Sequence, residues 1–237
     1  MSNGIYVALS GAVAQSTALD VAANNIANAN TTGYHAERMR FSQTLAKAKD
    51  SKFVTASSGI TDNTPGTTTQ TGNPLDAAIQ GDGYFKVAGP NGQPRYTRDG
   101  SFRLDGKGQL TTSEGHTVLG TTGKPIVVTP DASANVSLGA DGTVSSGDQT
   151  LGKIAMVKLD PKTMTREGAS LFATTGKPIT TGEPVSIAPE SIESANFNVV
   201  HGIVDLVRIS RNYEALHKMI ESYKDMDGAA AKISSEG

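Results

Sequence analysis

The chain has 237 residues, enough for one or two domains whose core can fold without disulfides or metal ions. Its 21 Lys and Arg residues against 23 Asp and Glu give a formal charge of −2, so the charge does not favour binding to nucleic acid or to an acidic membrane surface. The sequence contains no cysteine, which excludes disulfides, thiol catalysis and cysteine-ligated zinc.

Signals for targeting to a membrane or for cleavage are not evident. A cleaved secretory signal needs basic residues near its start, and the first Lys or Arg of this sequence is Arg38. A membrane-spanning helix needs an apolar run of about 18 residues, and we expect no such run here. The sequence therefore predicts no direct membrane insertion.

The first segment, residues 1–34, is predicted to be one helix followed by a turn. Apolar and small residues recur in alternating steps of four and three, as in the seam of a coiled coil. These residues are Ile5, Leu9, Ala12, Ser16, Leu19, Ala23 and Ile26. Residues typical of caps and turns follow from Asn28 to Gly33, so the helix should end there. Asp20 is the only charged side chain of the segment, which suits a helix that packs on several sides.

A second long helix is predicted at about 191–232, within the C-terminal segment 191–237. Its edges carry charged pairs such as Glu214 and Lys218 at i,i+4. Its apolar stripe consists of Val199, Ile203, Leu206, Ile209, Tyr213, Leu216, Ile220 and Tyr223. We expect the two terminal helices to pair as a coiled coil.

Between the helices, residues 73–190 are predicted to form an antiparallel β domain. Short β-rich runs alternate with turn dipeptides such as Asn91-Gly92 and Asp141-Gly142, at roughly ten residues per strand and turn. The polar segment 35–72 has no helical period and is predicted to be an extended connector. The predicted fold class is therefore α+β, with N- and C-terminal coiled-coil helices that flank a central antiparallel β domain.

Patterns typical of catalytic or ligand-binding sites are missing from the sequence. The four histidines do not have the spacing of metal ligands. The glycine pair Gly81 and Gly83 lacks the following glycine and helix start that a phosphate site requires. We therefore predict no catalytic residue, no cofactor and no metal site. An extracellular adhesin built on the β domain would explain the Gly- and Thr-rich middle, but it would leave the uncharged first helix without a role.

Three parts of the sequence resemble the signatures of bacterial flagellar rod and hook proteins. The N-terminal block is Leu19 to Tyr34, and the central blocks are Gly72 to Phe85 and Tyr96 to Gly106. The C-terminal block is Ser191 to Val200, followed by Arg211 to Ala215. The blocks are long, occur in the order typical of the family and are spread over most of the chain.

The resemblance implies a structural subunit of the flagellar basal-body rod. Proteins of this family are exported by the flagellar type III export apparatus without cleavage of a signal peptide. They polymerise in the periplasm into the axial drive shaft, which transmits torque and lines the export channel. The implied partners are the other proximal and distal rod subunits and further copies of the chain in a helical tube, and nucleic acid is not among them.

Several departures from the family patterns favour a proximal-rod member. The chain is short for a hook protein, which carries an added outer domain, and its β domain is larger than that of the smallest rod proteins. The start Met1-Ser-Asn-Gly-Ile5 and the segment Tyr34-His-Ala-Glu37 differ from the distal-rod patterns. A distal-rod or hook-type axial protein of the same family is the alternative.

The resemblance and the helical stripes together predict an assembly interface on the terminal helices. The asparagines near the end of the first helix could bond to neighbouring subunits without burying charge. On the first helix the predicted interface residues are Ile5, Leu9, Leu19, Asn24, Asn25, Ile26, Asn28 and Asn30. On the second they are Val199, Ile203, Leu206, Ile209, Tyr213, Leu216 and Ile220.

Overall fold

A computed structural model describes residues 3–46, 51–129, 136–179 and 185–235. The chain divides into two compact units. Unit 1 contains Met1–Ala27, Ala36–Asp62 and Phe197–Gly237, and unit 2 contains Asn28–His35 and Asn63–Asn196. The boundaries of the four segments named from the sequence remain a prediction.

Unit 1 is built from two long helices and a pair of strands. Helix α1 spans Asn3–Ala27 and helix α2 spans Val199–Ser235. Strand β1 (Glu37–Ala46) pairs antiparallel with strand β2 (Ser51–Thr61). Both strands lie in the segment predicted as an extended connector, so that segment contains a paired sheet.

The second helix begins later than the sequence pattern indicated. Residues Ser191–Glu193, predicted as its first turn, instead form a strand that pairs with Thr68–Gln70. The helix begins at Val199 because Asn198 caps it: the Asn198 Oδ1 atom accepts hydrogen bonds from the backbone N–H groups of Val200 (3.0 Å) and His201 (3.2 Å).

Unit 2 contains short strands, and each of their ladders is antiparallel. In chain order they are β3 (Thr68–Gln70), β4 (Ala77–Gln80), β5 (Tyr84–Ala88), β6 (Pro94–Thr97), β7 (Arg103–Leu104), β8 (Leu110–Thr111), β9 (Val136–Leu138), β10 (Thr143–Ser146), β11 (Gln149–Lys153), β12 (Met156–Val157), β13 (Met164–Arg166), β14 (Leu171–Thr174), β15 (Ser186–Pro189) and β16 (Ser191–Glu193).

The strands of unit 2 are arranged in several small sheets. The largest has five strands in the order β12-β5-β6-β14-β13, and a second has three in the order β11-β10-β9. Two-stranded pairs are formed by β15 with β4, β16 with β3 and β7 with β8. The structure thus confirms the predicted α+β class, in which a helix at each end of the chain flanks a central antiparallel β region.

The core of unit 2 is mainly aliphatic, with a few phenylalanines. Phe85 and Phe102 meet edge to face with their ring centroids 5.0 Å apart. Around them lie buried aliphatic side chains that include Ile79, Val87, Leu110, Val118, Ile126, Val144, Ile154 and Ile187. Turn glycines such as Gly92 and Gly142 have positive φ angles of 72° and 84°, which a residue with a Cβ adopts only with strain. The Asn-Gly and Asp-Gly dipeptides therefore mark turns, as their sequence predicted.

Helix α1 contradicts the expectation that no segment is long and apolar enough to cross a membrane. Among the described residues, its segment Gly4–Ala27 is long and apolar enough to cross a bilayer. The expectation that no segment meets this criterion is therefore wrong, because the small Ser, Gly and Thr residues of α1 lower its hydropathy only slightly. Length and composition describe a packed core helix equally well. The absence of direct membrane insertion stays a prediction.

Candidate assembly surface

Helices α1 and α2 run antiparallel along each other within unit 1. Gly4 lies against the ring of Tyr223, where an added Cβ would be 2.7 Å from the ring, and Gly11 lies against Leu216. At the other end of the pair, Gly202 lies against Ile26. Residues further along α1 thus meet residues earlier in α2, which fixes the register of the helix pair.

The contact between the helices follows a stripe of small residues on α1. Ala8 and Ala12 are buried against Ile220, and Tyr213 and Leu216 pack beside them. The α1 seam predicted from the sequence is wrong at several positions, because large side chains of α2 approach α1 where its own side chains are smallest. Of the predicted seam, Leu9, Ser16 and Ala23 are exposed.

Helix α1 also contacts the β1–β2 pair, and it has a second set of buried residues. The members of this set are Ala14, Ala18, Ala22 and Asn25. The Asn25 amide bonds to both backbone groups of Glu37: its Nδ2 donates to the Glu37 carbonyl and its Oδ1 accepts from the Glu37 N–H, each at 2.9 Å. Asn25 therefore joins α1 to β1 inside the subunit, and we do not include it in the surface proposed below.

The remaining face of α1 presents apolar side chains to solvent near its N-terminus. Tyr6, Leu9 and Val13 are spaced by three and four residues, which places them on one side of the helix. Their exposed fractions lie between 49% and 60%. We call these three residues the α1 patch.

Helix α2 carries a larger exposed apolar face in its first turns. Val200, Ile203, Val204 and Val207 have the i, i+3, i+4, i+7 spacing of a single helix face, and their exposed fractions lie between 44% and 69%. We call these four residues the α2 patch. Gly202 is buried between the Phe197 ring and Ile26 of α1, so the α2 patch lies on the side of α2 that faces away from α1.

The structure distributes the predicted interface residues over three environments. Exposed residues are Leu9, Asn24, Asn30, Val199 and Ile203. Half-buried residues are Ile5, Leu19, Ile26, Asn28, Leu206, Ile209, Tyr213 and Leu216. Buried residues are Asn25 and Ile220. Asn28 bonds to Thr31 in the turn after α1, since its carbonyl accepts from the Thr31 N–H at 2.9 Å and its Oδ1 from the Thr31 hydroxyl at 3.3 Å.

Five residues of the two patches are not among the interface residues predicted from the sequence: Tyr6, Val13, Val200, Val204 and Val207. A signal for the α2 patch was available, because apolar residues occupy opposite faces of α2 between residues 199 and 209. One stripe of that double pattern suffices for the contact with α1. The second stripe then indicates another partner.

Unit 2 contains a buried charged cluster where the segment after α1 meets the segment before α2. The backbone N–H of Gly33 donates to the Glu193 carbonyl at 2.8 Å, and that of Asn196 donates to the Tyr34 carbonyl at 3.2 Å. Beside these bonds, the side chains of His35, Arg98 and Glu193 are almost completely buried. The two segments are thereby joined to each other by backbone and side-chain contacts.

The Glu193 carboxylate is the centre of this cluster. Its Oε2 atom accepts from Arg98 Nη1 at 3.0 Å, and its Oε1 atom lies 3.0 Å from His35 Nε2 and accepts from the Gly66 N–H at 2.9 Å. Burial raises the pKa of Glu193, but the hydrogen bond from His35 and the charge of Arg98 outweigh that effect, so the pKa is lowered. The carboxylate is therefore ionised in the folded subunit.

A second arginine, Arg166, stacks on two aromatic rings near this cluster. The Arg166 guanidinium lies over the rings of Tyr34 and Phe172, at 4.8 Å and 5.0 Å from their centroids, and it donates to the carbonyl of His35. Over the part of the chain that the structure describes, His, Asp and Glu side chains do not form a group of three that could hold a metal ion. The contacts of the cluster hold the segment after α1 against the segment before α2, so the cluster has a structural role.

Comparison with known proteins identifies the family. The family model "Flagella basal body rod protein" matches residues 5–35, "Flagellar hook protein FlgE/F/G D1 domain" matches 78–146, and "Flagellar basal body rod FlgEFG protein C-terminal" matches 188–233. The chain is 37% identical to the flagellar basal-body rod protein FlgF of Mesorhizobium japonicum over 219 residues, which cover 90% of each chain. It is 36% identical to FlgF of Caulobacter vibrioides over 98% of each chain. The chain belongs to the FlgF family of flagellar basal-body rod proteins.

Membership of the FlgF family confirms the resemblance seen in the sequence. The flagellar basal-body rod protein FlgG of Buchnera aphidicola subsp. Schizaphis graminum is also similar, at 29% identity over 95% of this chain and 97% of the relative. The lower identity does not favour the alternative of a distal-rod protein. This FlgF-family chain is a structural subunit of the flagellar basal-body rod, located in the basal body, where it assembles with other rod components.

Proposed function

We propose that this FlgF-family subunit polymerises through α1 and α2 into the axial shaft of the rod, which transmits torque and lines the export channel. The observation that supports the proposal is the pair of exposed apolar patches on helices whose other faces are already packed within unit 1. The role is mechanical rather than catalytic.

The chemistry of the two patches favours burial in an assembly. Burial of a Val, Leu or Ile side chain contributes about 1.5–3 kcal/mol, and such side chains clustered on one face mark an interaction surface. The α1 patch and the α2 patch contain no charged side chain, so their burial requires no desolvation of an ion. The exposed residue Asn30, in the turn that follows α1, adds an amide that can bond to a neighbouring subunit.

The location and route of the subunit form part of the same proposal. The rod lies in the periplasm, and the subunit reaches it through the flagellar type III export apparatus without cleavage of a signal peptide. Its neighbours there are further copies of itself and related proximal and distal rod subunits. The similarity to FlgG supports such mixed contacts, since the two relatives match almost the whole chain.

Charged substitutions in the two patches test the proposal. In a bacterium that carries this chain as its only copy, Val13→Asp and Val204→Asp should each abolish swimming and remove the subunit from isolated basal bodies. Thr69→Asp introduces the same charge at an exposed position of β3 and should leave both unchanged. Circular dichroism of the purified variants verifies that they fold. Normal swimming and normal incorporation of both patch variants would contradict the proposal.

A further inference from the structure

The last two strands of unit 2 pair with its first two. Strand β15 pairs with β4 and strand β16 pairs with β3, in each case more than a hundred positions earlier in the chain. We call the segment Ser186–Glu193, which contains β15 and β16, the strap. Among the ladders of unit 2 that the structure describes, the partners in every other pair lie closer together in the sequence. Because the entropic cost of loop closure rises with loop length, the pairings of the strap are the least favoured while the rest of unit 2 is unfolded.

Release of the strap leaves the larger sheets of unit 2 complete. The pairs β15–β4 and β16–β3 are separate two-stranded sheets. The five-stranded sheet β12-β5-β6-β14-β13 and the three-stranded sheet β11-β10-β9 contain no strand of the strap. The strap can therefore detach without breaking a ladder of either larger sheet.

Few apolar contacts hold the strap in place. Within the strap, whose residues are all described, Ile187 is the only fully buried large apolar side chain, and it pairs with Ile79 in the aliphatic core. The other buried residues of the strap, Ser191 and Glu193, are polar. Elements with few buried apolar contacts open at a lower free energy than the core of a domain.

The corner between the two strands of the strap has a strained backbone. Glu190 has a φ angle of 53°, in the left-handed region that is unfavourable for a residue with a Cβ. Its carbonyl accepts hydrogen bonds from the backbone N–H groups of Thr71 (2.8 Å) and Gly72 (3.2 Å), which hold the corner against the segment after β3. Detachment of the strap breaks these bonds and relieves the strain at the same time.

The partner of Glu193 remains anchored when the strap is absent. Arg98 donates from Nε to the Gly83 carbonyl at 3.0 Å and from Nη2 to the Gly81 carbonyl at 2.6 Å. Neither glycine belongs to the strap, and only Nη1 of Arg98 is bonded to Glu193. The guanidinium is therefore held in position to receive the Glu193 carboxylate each time the strap docks.

We propose that the strap docks last when unit 2 folds and detaches first from the folded subunit, while the larger sheets persist. During export as proposed above, β3 and the strap cross the channel at different times, so the strap can dock only when both are on the same side. This consequence for export rests on the proposed function, whereas the order of docking is a property of the single subunit.

Amide hydrogen exchange of the purified subunit tests the strap. The strap reporters are the N–H groups of Thr71 and Ser194, whose hydrogen bonds of 2.8 Å and 2.9 Å extend the β16–β3 ladder at its two ends. The core reporter is the Val118 N–H, which donates to the Leu110 carbonyl at 2.8 Å. We expect the strap reporters to exchange together, and at least about tenfold faster than Val118, because local opening exposes them without unfolding of the core.

A matched pair of variants separates release of the strap from unfolding of the whole unit. Ile187→Val and Ile126→Val make the same change at two buried core residues, and Ile126 lies outside the strap, against Gly120 and Gly152. Ile187→Val should accelerate exchange of the strap reporters about fivefold, because it weakens the docked strap alone. Ile126→Val should leave them unchanged, because its packing persists after release of the strap. Both variants should accelerate exchange of Val118, which requires unfolding of unit 2.

Two results would overturn the proposal. One is equal acceleration of the strap reporters by Ile187→Val and Ile126→Val, and the other is exchange of the strap reporters as slow as that of Val118. Either result means that the strap opens only when the whole unit unfolds. Failure of the proposed function is detected separately, by motile Val13→Asp and Val204→Asp strains.

Discussion

Replacement of Glu193 by glutamine, which keeps the side-chain size constant, should strongly destabilise unit 2. The carboxylate accepts hydrogen bonds from Arg98, His35 and the Gly66 N–H in a buried site. A glutamine amide has one oxygen and one NH₂ group, so its NH₂ must face either Arg98 or the Gly66 N–H, both of which can only donate. The substitution Glu193→Gln also leaves the Arg98 guanidinium buried without its counter-ion.

The expected loss of stability is about 3–5 kcal/mol, the usual cost of removing one partner from a buried ion pair. Because a domain of this size has a free energy of unfolding of about 5–15 kcal/mol, the change should be visible as a large shift of the urea midpoint. Urea unfolding followed by the near-ultraviolet circular dichroism of the tyrosines measures it, since Tyr34, Tyr84 and Tyr96 are buried in unit 2.

The matched control is Glu190→Gln, which makes the same substitution three residues earlier at an exposed position. It should change the free energy of unfolding by less than about 0.5 kcal/mol. A Glu193→Gln variant as stable as this control would refute the reasoning, because it would mean that the cluster tolerates an uncompensated Arg98.

Acid should weaken the wild-type protein through the same carboxylate. The folded pKa of Glu193 is lowered from its ordinary value of 4.5, so its contribution is fully present above pH 4.5 and is lost as the pH falls below that value through the folded pKa. The Glu193→Gln variant lacks this titration, so its urea midpoint should decline less than that of the wild-type protein between pH 6 and pH 3. Parallel pH profiles of the two proteins would contradict the assignment.

Two further predictions concern unit 1, and both are checked by thermal unfolding monitored at 222 nm. Asn25→Ala removes both hydrogen bonds between the Asn25 amide and the Glu37 backbone and should cost about 1–3 kcal/mol, whereas Asn212→Ala at an exposed position of α2 should change the stability by less than about 1 kcal/mol. Gly202→Ala places a Cβ 2.3 Å from the Phe197 ring and should destabilise the protein by about 1–3 kcal/mol, whereas Gly228→Ala, which meets no atom within 4 Å, should stabilise it by about 0.5–1. Equal effects within either pair would contradict the packing described for α1 and α2.

The sequence predicts both helices because their apolar periods are local and long. It predicts the inner face of α1 poorly, since glycine and alanine fit against any neighbour and only the large side chains of α2 decide which side is covered. Leu9 is the clearest case: it continues the seven-residue seam, yet it faces solvent in the subunit.

Long-range pairings explain the other differences between sequence and structure. The second helix is predicted to begin at about residue 191, but Ser191–Glu193 pair with a strand more than a hundred positions earlier, and local periodicity contains no information about that partner. The charged cluster is equally hidden, because His35, Arg98 and Glu193 are scattered over the chain. In the sequence, each of these three residues is indistinguishable from an ordinary surface residue, because only the fold brings them together.

The joined segments beside Glu193 also determine how unit 2 responds to mechanical load. A force that pulls the segment at Gly33 away from the segment at Glu193 acts on the backbone hydrogen bonds and on the buried ion pair at the same time. Bonds loaded in parallel share the force, so the connection should rupture as one cooperative event at a higher force than bonds broken one after another. In a rotating shaft, such a connection would behave as a stiff coupling between the stretches of chain that lead to α1 and α2.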